Sequence, residues 1–106
     1  MELMIRQHDV SVDEALREHI ERRINAALDR FEPRISRVSV RLRDLNGPRG
    51  GLDKECRIAI KLIPSGELFI EQRDDSLHAA VATAADRAAE VVRRAVSRRK
   101  RGIGAG

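Results

Sequence analysis

The hydrophobic period of the chain changes twice, and each change marks where one kind of element must give way to another. From Val12 to Phe31 apolar residues recur at helical spacing, through Leu16, Ile20, Ile24, Ala27 and Leu28. From Ile35 to Ile70 the period falls to two, the mark of strands with one buried face. From Leu77 to Ala95 it returns to 3.6, through Val81, Ala84, Ala88, Val91 and Val92. Ahead of the first helical stretch, Leu3 and Ile5 alternate with Glu2, Met4 and Arg6 and add a short half-buried strand.

Local signals divide these stretches. Ser11-Val12-Asp13-Glu14 reads as a capping box, with the Ser11 hydroxyl on the amide of Glu14. Pro33 is expected to end the first helix, because a residue before proline is pushed out of helical geometry. In the middle stretch Val38, Val40 and Leu42 face one way, and Arg37, Ser39, Arg41 and Arg43 the other. A turn cluster at 46–51 is expected to be a hairpin loop. Cys56, Ile58, Ile60 and Leu62 then point inward, opposite Arg57, Ala59 and Lys61. After Pro64-Ser65-Gly66 a third strand turns Leu68 and Ile70 inward and Phe69, Glu71 and Arg73 outward. Asp74, Asp75 and Ser76 are N-cap candidates for the last helix.

The element order is β-α-β-β-β-α, in the α+β class. The short connections predict an antiparallel meander for the last three strands. One sheet with both helices on one face buries every apolar stripe at once. At 106 residues the chain is expected to be a single domain over 1–101, with 102–106 a disordered C-terminal tail.

Charge is distributed unevenly. The whole chain carries +4, yet the segment from Arg87 onward holds seven basic residues and one acid, Glu90. The preceding 86 residues are slightly acidic by difference. Helical spacing places Arg87, Arg94, Arg98 and Arg101 within a wedge of about 60° beside the apolar stripe. Arg93 adds to this cluster, and Arg22 and Arg23 on the first helix extend the footprint, unless they serve only as partners of Glu18 and Glu21. A rod with repeated arginine suits contacts to the phosphate backbone of folded RNA or duplex. Phe31 and Phe69 are the only aromatics, too few for a stacking platform of several rings.

Other chemistries lack support. His8, His19 and His78 have no Cys or His at ligand spacing, so no metal and no cofactor is expected. The lone Cys56 reads as a core residue, and Asp74-Asp75 as helix-capping groups rather than a catalytic pair. The chain is expected to be no enzyme, to take no small-molecule substrate and to have no membrane association. Its lone cysteine and its start fit a cytoplasmic protein.

Three segments resemble the ribosome hibernation-promoting factors, also called ribosome-associated translation inhibitors. Val10 to Glu18 looks like the opening of that family's first helix, and Phe31 to Val38 like its passage into the second strand. Asp75-Ser76-Leu77-His78-Ala79-Ala80-Val81, followed by Ala84-Ala85-Asp86-Arg87, resembles the start of its second helix. The resemblance implies a mixed four-stranded sheet backed by two helices, in the outline of a double-stranded-RNA-binding domain. It also implies binding to small-subunit rRNA between head and body, blocking the mRNA and tRNA sites, in a short form without a dimerisation domain. Arg23, Arg87 and Arg94 match basic positions of the family. Glu90 stands where arginine is common, Val91 for a glutamine, Ala26 for a frequent lysine and His78 for a tyrosine, while the cluster from Arg93 to Arg101 supplies charge of its own. The alternative is a diverged member that binds another structured RNA or a protein.

Overall fold

The computed structural model describes residues 1–45 and 53–105, with side chains as far as Arg98. Strand β1 (Glu2–His8) leads into helix α1 (Glu14–Leu28), which tightens into a 3-10 helix over Asp29–Arg34. Strands β2 (Ile35–Asp44), β3 (Lys54–Leu62) and β4 (Glu67–Asp74) follow, and helix α2 (Leu77–Ala105) closes the chain. The sheet order is β1-β2-β3-β4, with β1 parallel to β2 and the other pairs antiparallel. The expected α+β architecture and meander are therefore present. The crossover through α1 is what lets β1 join the meander in the parallel sense.

Three helix boundaries differ from the sequence reading. Asp13, not Ser11, caps α1: its extended backbone (φ −77°, ψ 176°) lets Oδ1 accept from the amide of Leu16 at 2.8 Å. Pro33 lies inside the 3-10 helix rather than after it. Its fixed φ of about −65° suits 3-10 geometry as well as the first turn of an α-helix. Ahead of α2, Asp74 Oδ1 accepts from the amides of Asp75 (2.8 Å) and Ser76 (3.3 Å), while Ser76 Oγ accepts from Ala79 at 3.3 Å. Ser76 is thus the cap, and Asp74 holds the turn before it. α2 is helical to Ala105, so it passes the boundary expected at Arg101. Extending a formed helix avoids the nucleation cost, and even glycine only weakens the propagation.

One core joins the apolar faces of the two layers. Leu16, Ile20, Ile24 and Leu28 of α1 and Ala80, Val81, Ala84, Ala85, Ala88 and Val92 of α2 are buried against Val38, Val40, Leu42, Cys56, Ile58 and Ile60. A bulge in β2 between Ile35 and Arg37 places Ile35 in the same core despite its odd parity with Val38. The β3–β4 connection turns at Gly66, whose φ of 107° only glycine adopts freely. The hairpin loop expected at 46–51 lies outside the described residues. The molecule measures 53 × 24 × 18 Å, and among the described residues the last buried side chain of α2 is Ala95.

Candidate nucleic-acid interface

The arginines of α2 fall into two groups set by helix rotation. Arg87, Arg94 and Arg98 are exposed and share the flank toward β4. Arg87 defines that flank: its Nη1 donates to the backbone oxygen of Glu71 at 2.6 Å and to Gln72 Oε1 at 2.8 Å. These bonds fasten α2 to β4, so Arg87 is partly occupied with holding the fold. Arg93 lies about 100° of rotation away from Arg94.

Glu90 sits between the two groups and binds both. Arg93 donates to its two carboxylate oxygens at 3.1 and 2.7 Å, and Arg94 Nε to Oε1 at 3.0 Å. The Arg93 hydrogen bonds above all, with the charges of both arginines, hold the Glu90 carboxyl down to about 2. The acid at this position therefore neutralises part of the cationic helix from within it. Arg98 has no ion pair among the described residues, and the side chains of Arg99, Lys100 and Arg101 lie outside them.

On α1, Arg22 is exposed and Arg23 half-buried. Arg23 reaches across to Asp86 of α2 at 3.5 Å instead of pairing with Glu18 or Glu21. It thus lies on the α1 side of α2, away from the Arg87 flank. Of the six expected residues whose side chains are described, Arg23 and Arg93 lie on the helix–helix side, while Arg87, Arg94 and Arg98 share the flank about 100° of rotation away. His19 and His78, 59 positions apart, meet at the same seam, with ring centroids 4.7 Å apart and His19 Nε2 3.0 Å from the carbonyl of His78. No cluster of three ligand-type side chains forms among the described residues.

The sheet carries a second cationic surface on the face away from the helices. Strand register assembles it in rows across the four strands: Glu2–Arg37–Lys61–Glu67, then Met4–Ser39–Ala59–Phe69, then Arg6–Arg41–Arg57–Glu71, then His8–Arg43–Glu55–Arg73. Glu55 is fully buried there, beneath Arg57 at 3.0 Å, Arg73 at 3.3 Å and Arg43 at 3.5 Å. Arg57 also pairs with Glu71 at 3.1 Å. Alternation alone turns these arginines outward, but only the register shows which of them become neighbours.

Burial pushes the Cys56 thiol up to about 12, which leaves it un-ionised and unreactive near neutrality. The Asp74 carboxyl is lowered and that of Asp75 raised, chiefly by the hydrogen bond between them, where both carboxyls flank a helix start. Among the described residues no helix is long and apolar enough to cross a membrane.

Comparison with known proteins agrees with this fold. No curated protein sequence matches the chain. The N-terminal domain of Protein Y from Thermus thermophilus superimposes with a TM-score of 0.72 at 27% identity, over 89% of this chain and 98% of that one. A ribosomal subunit interface protein from Coxiella burnetii superimposes with a TM-score of 0.76 at 18% identity, over 92% of this chain and 99% of its own, a likeness of fold. The profile of the family described as Sigma 54 modulation protein / S30EA ribosomal protein matches residues 3–100. Since that match runs from β1 to the cationic turns of α2, the chain belongs to this family, the one its motifs resemble.

Proposed function

We propose that this protein is a ribosome-associated translation inhibitor that binds small-subunit rRNA through the basic side chains of α2 and α1 and occupies the mRNA and tRNA sites. The observation that carries the reading is the position of the arginines: Arg94 and Arg98 project from the part of α2 where the core is ending, in a segment of strongly positive charge. Such a rod offers guanidinium forks to phosphates and no base-reading groups. Family membership and the 27% identity to the Protein Y domain support it. Arg22 and Arg101 would add phosphate contacts, and Arg93, Arg23 and Arg87 would do so only by leaving Glu90, Asp86 and the Glu71 carbonyl. No step of this function needs a cofactor or a reaction.

The test is co-sedimentation of the purified protein with vacant small subunits at low and moderate salt, with mRNA and tRNA as competitors. Saturable binding that competitors displace is the expected result, and absence of binding at low salt rejects it. The Glu90 clamp motivates a second reading, in which the partner is another structured RNA or a protein. Failure to bind subunits, coupled with saturable binding to other folded RNA, would favour that reading.

A further inference from the structure

The outer face of the sheet holds arginines that the helix reading does not use. Arg6, Arg41 and Arg57 stand side by side on three adjacent strands, directly paired in register. Like charges opposite one another across strands cost stability. Arg57 is offset by Glu55 and Glu71, but Arg6 and Arg41 have no ion pair or hydrogen bond among the described residues, and both are exposed. The next row along the strands is small in its middle, Ser39 beside Ala59. It lies between this arginine row and the Arg37–Lys61 pair, about 13 Å from rim to rim at four residues of strand rise. A shallow depression of about 520 Å³ opens here, floored by Ser39 and Ala59 and walled by Arg6, Arg41, Arg57 and Glu71. At its β4 end Phe69 is 71% exposed, the most exposed large apolar side chain among the described residues.

We infer that this trough is a binding surface for a single strand of RNA, with phosphates along the Arg6–Arg41 row and one base stacked on Phe69. Across the whole face seven lysines and arginines oppose four carboxylates, which gives the complementarity a polyanion needs. Guanidinium forks match phosphate in geometry as well as charge. An exposed ring beside them adds stacking, which an acidic peptide gains little from and a nucleotide base uses fully. A trough with the arginine row along one wall and Phe69 at its end suits one extended strand. This surface is on the opposite side of the sheet from α1 and α2 and is independent of the helix reading.

The experiment uses the full chain and a fluorescein-labelled eight-nucleotide oligouridylate, with affinity read by anisotropy over a salt series. Arg6→Ser with Arg41→Ser is expected to weaken binding tenfold or more and to lower the salt slope by about 1.4, at about 0.7 per single-strand phosphate contact. The same variant should melt no lower than the parent, since it removes like-charge repulsion. Phe69→Ala, which changes no charge, is expected to cost about tenfold. Arg94→Glu with Arg98→Glu should lose small-subunit co-sedimentation while retaining most of the oligonucleotide affinity, so failure of one surface is distinguishable from failure of the other. Unchanged affinity in Phe69→Ala, or equal loss in the helix variant, overturns the proposal. Displacement of the RNA by oligoglutamate at equal charge concentration overturns it too, and would name an acidic protein segment as the occupant.

Discussion

Glu90 shows how one side chain can set the charge that a whole helix presents. Its carboxyl, held down to about 2 against an ordinary 4.5, is ionised throughout the neutral range, and so it keeps Arg93 and Arg94 engaged. Because the folded-state value is depressed, the contribution of this cluster to stability is fully present above pH 4.5 and fades as pH falls toward 2. A carboxyl-carbon NMR titration of Glu90 should give a midpoint near 2. Glu90→Gln frees two guanidinium groups, and under the proposed function it should tighten small-subunit binding severalfold and steepen its salt dependence. Looser binding in that variant would mean that Glu90 orients the arginines productively. Glu55 is the buried counterpart. Three half-exposed arginines share it, so no single one is indispensable, and Arg43→Ala should shift stability by less than about 1 kcal/mol. Glu55→Ala removes the buried counter-charge that Arg43, Arg57 and Arg73 share, leaving only Glu71 beside Arg57 and Arg73, and should cost about 1–2 kcal/mol in urea unfolding.

The elements follow from hydrophobic period more directly than the sites do. The stripe from Leu16 to Leu28 and the alternation around Val38 and Ile58 specify local geometry, and each is buried as its period requires. Where the reading missed, the deciding interaction was finer than period: Asp13 competing with Ser11 for a cap, a 3-10 helix accommodating Pro33, a bulge carrying Ile35 inward. The candidate site was less visible in the residues. Spacing on one helix predicts the Arg87–Arg94–Arg98 flank, because rotation per residue is known. It contains nothing about Asp86 waiting for Arg23, or about Arg6 standing beside Arg41, because those contacts depend on how elements far apart in sequence are set against one another. Packing of α2 gives the prediction at this level. Ala84, Ala85 and Ala88 are wholly buried where the helix meets its neighbours, so its backbone lies close to them. Ala88→Leu should overpack that contact and cost about 1–3 kcal/mol, visible as a lower urea midpoint with an unchanged slope.

For the molecule as a whole, the two cationic surfaces occupy opposite sides, and the helix surface should be read through its salt dependence. If Arg94 and Arg98 each displace a counterion, Arg94→Ala with Arg98→Ala should reduce the salt slope of small-subunit binding by about 2 and leave thermal unfolding nearly unchanged. An unaltered slope would remove this flank from the interface.

Among the described residues burial along α2 stops at Ala95, and that has a kinetic consequence. Past Val96 no described side chain of α2 joins the core, and the sequence there is densely basic, with Arg98 and Arg101 at a like-charged spacing of three. That stretch is held by its own backbone hydrogen bonds, and its charges work against it until an anion neutralises them. Its amides should therefore exchange with deuterium far faster than those around Val92 in the free protein, and slow when phosphate-bearing ligand binds. The far end of α2 is in this sense a gauge of occupancy, with ligand affinity and helix order tied to the same ionic strength.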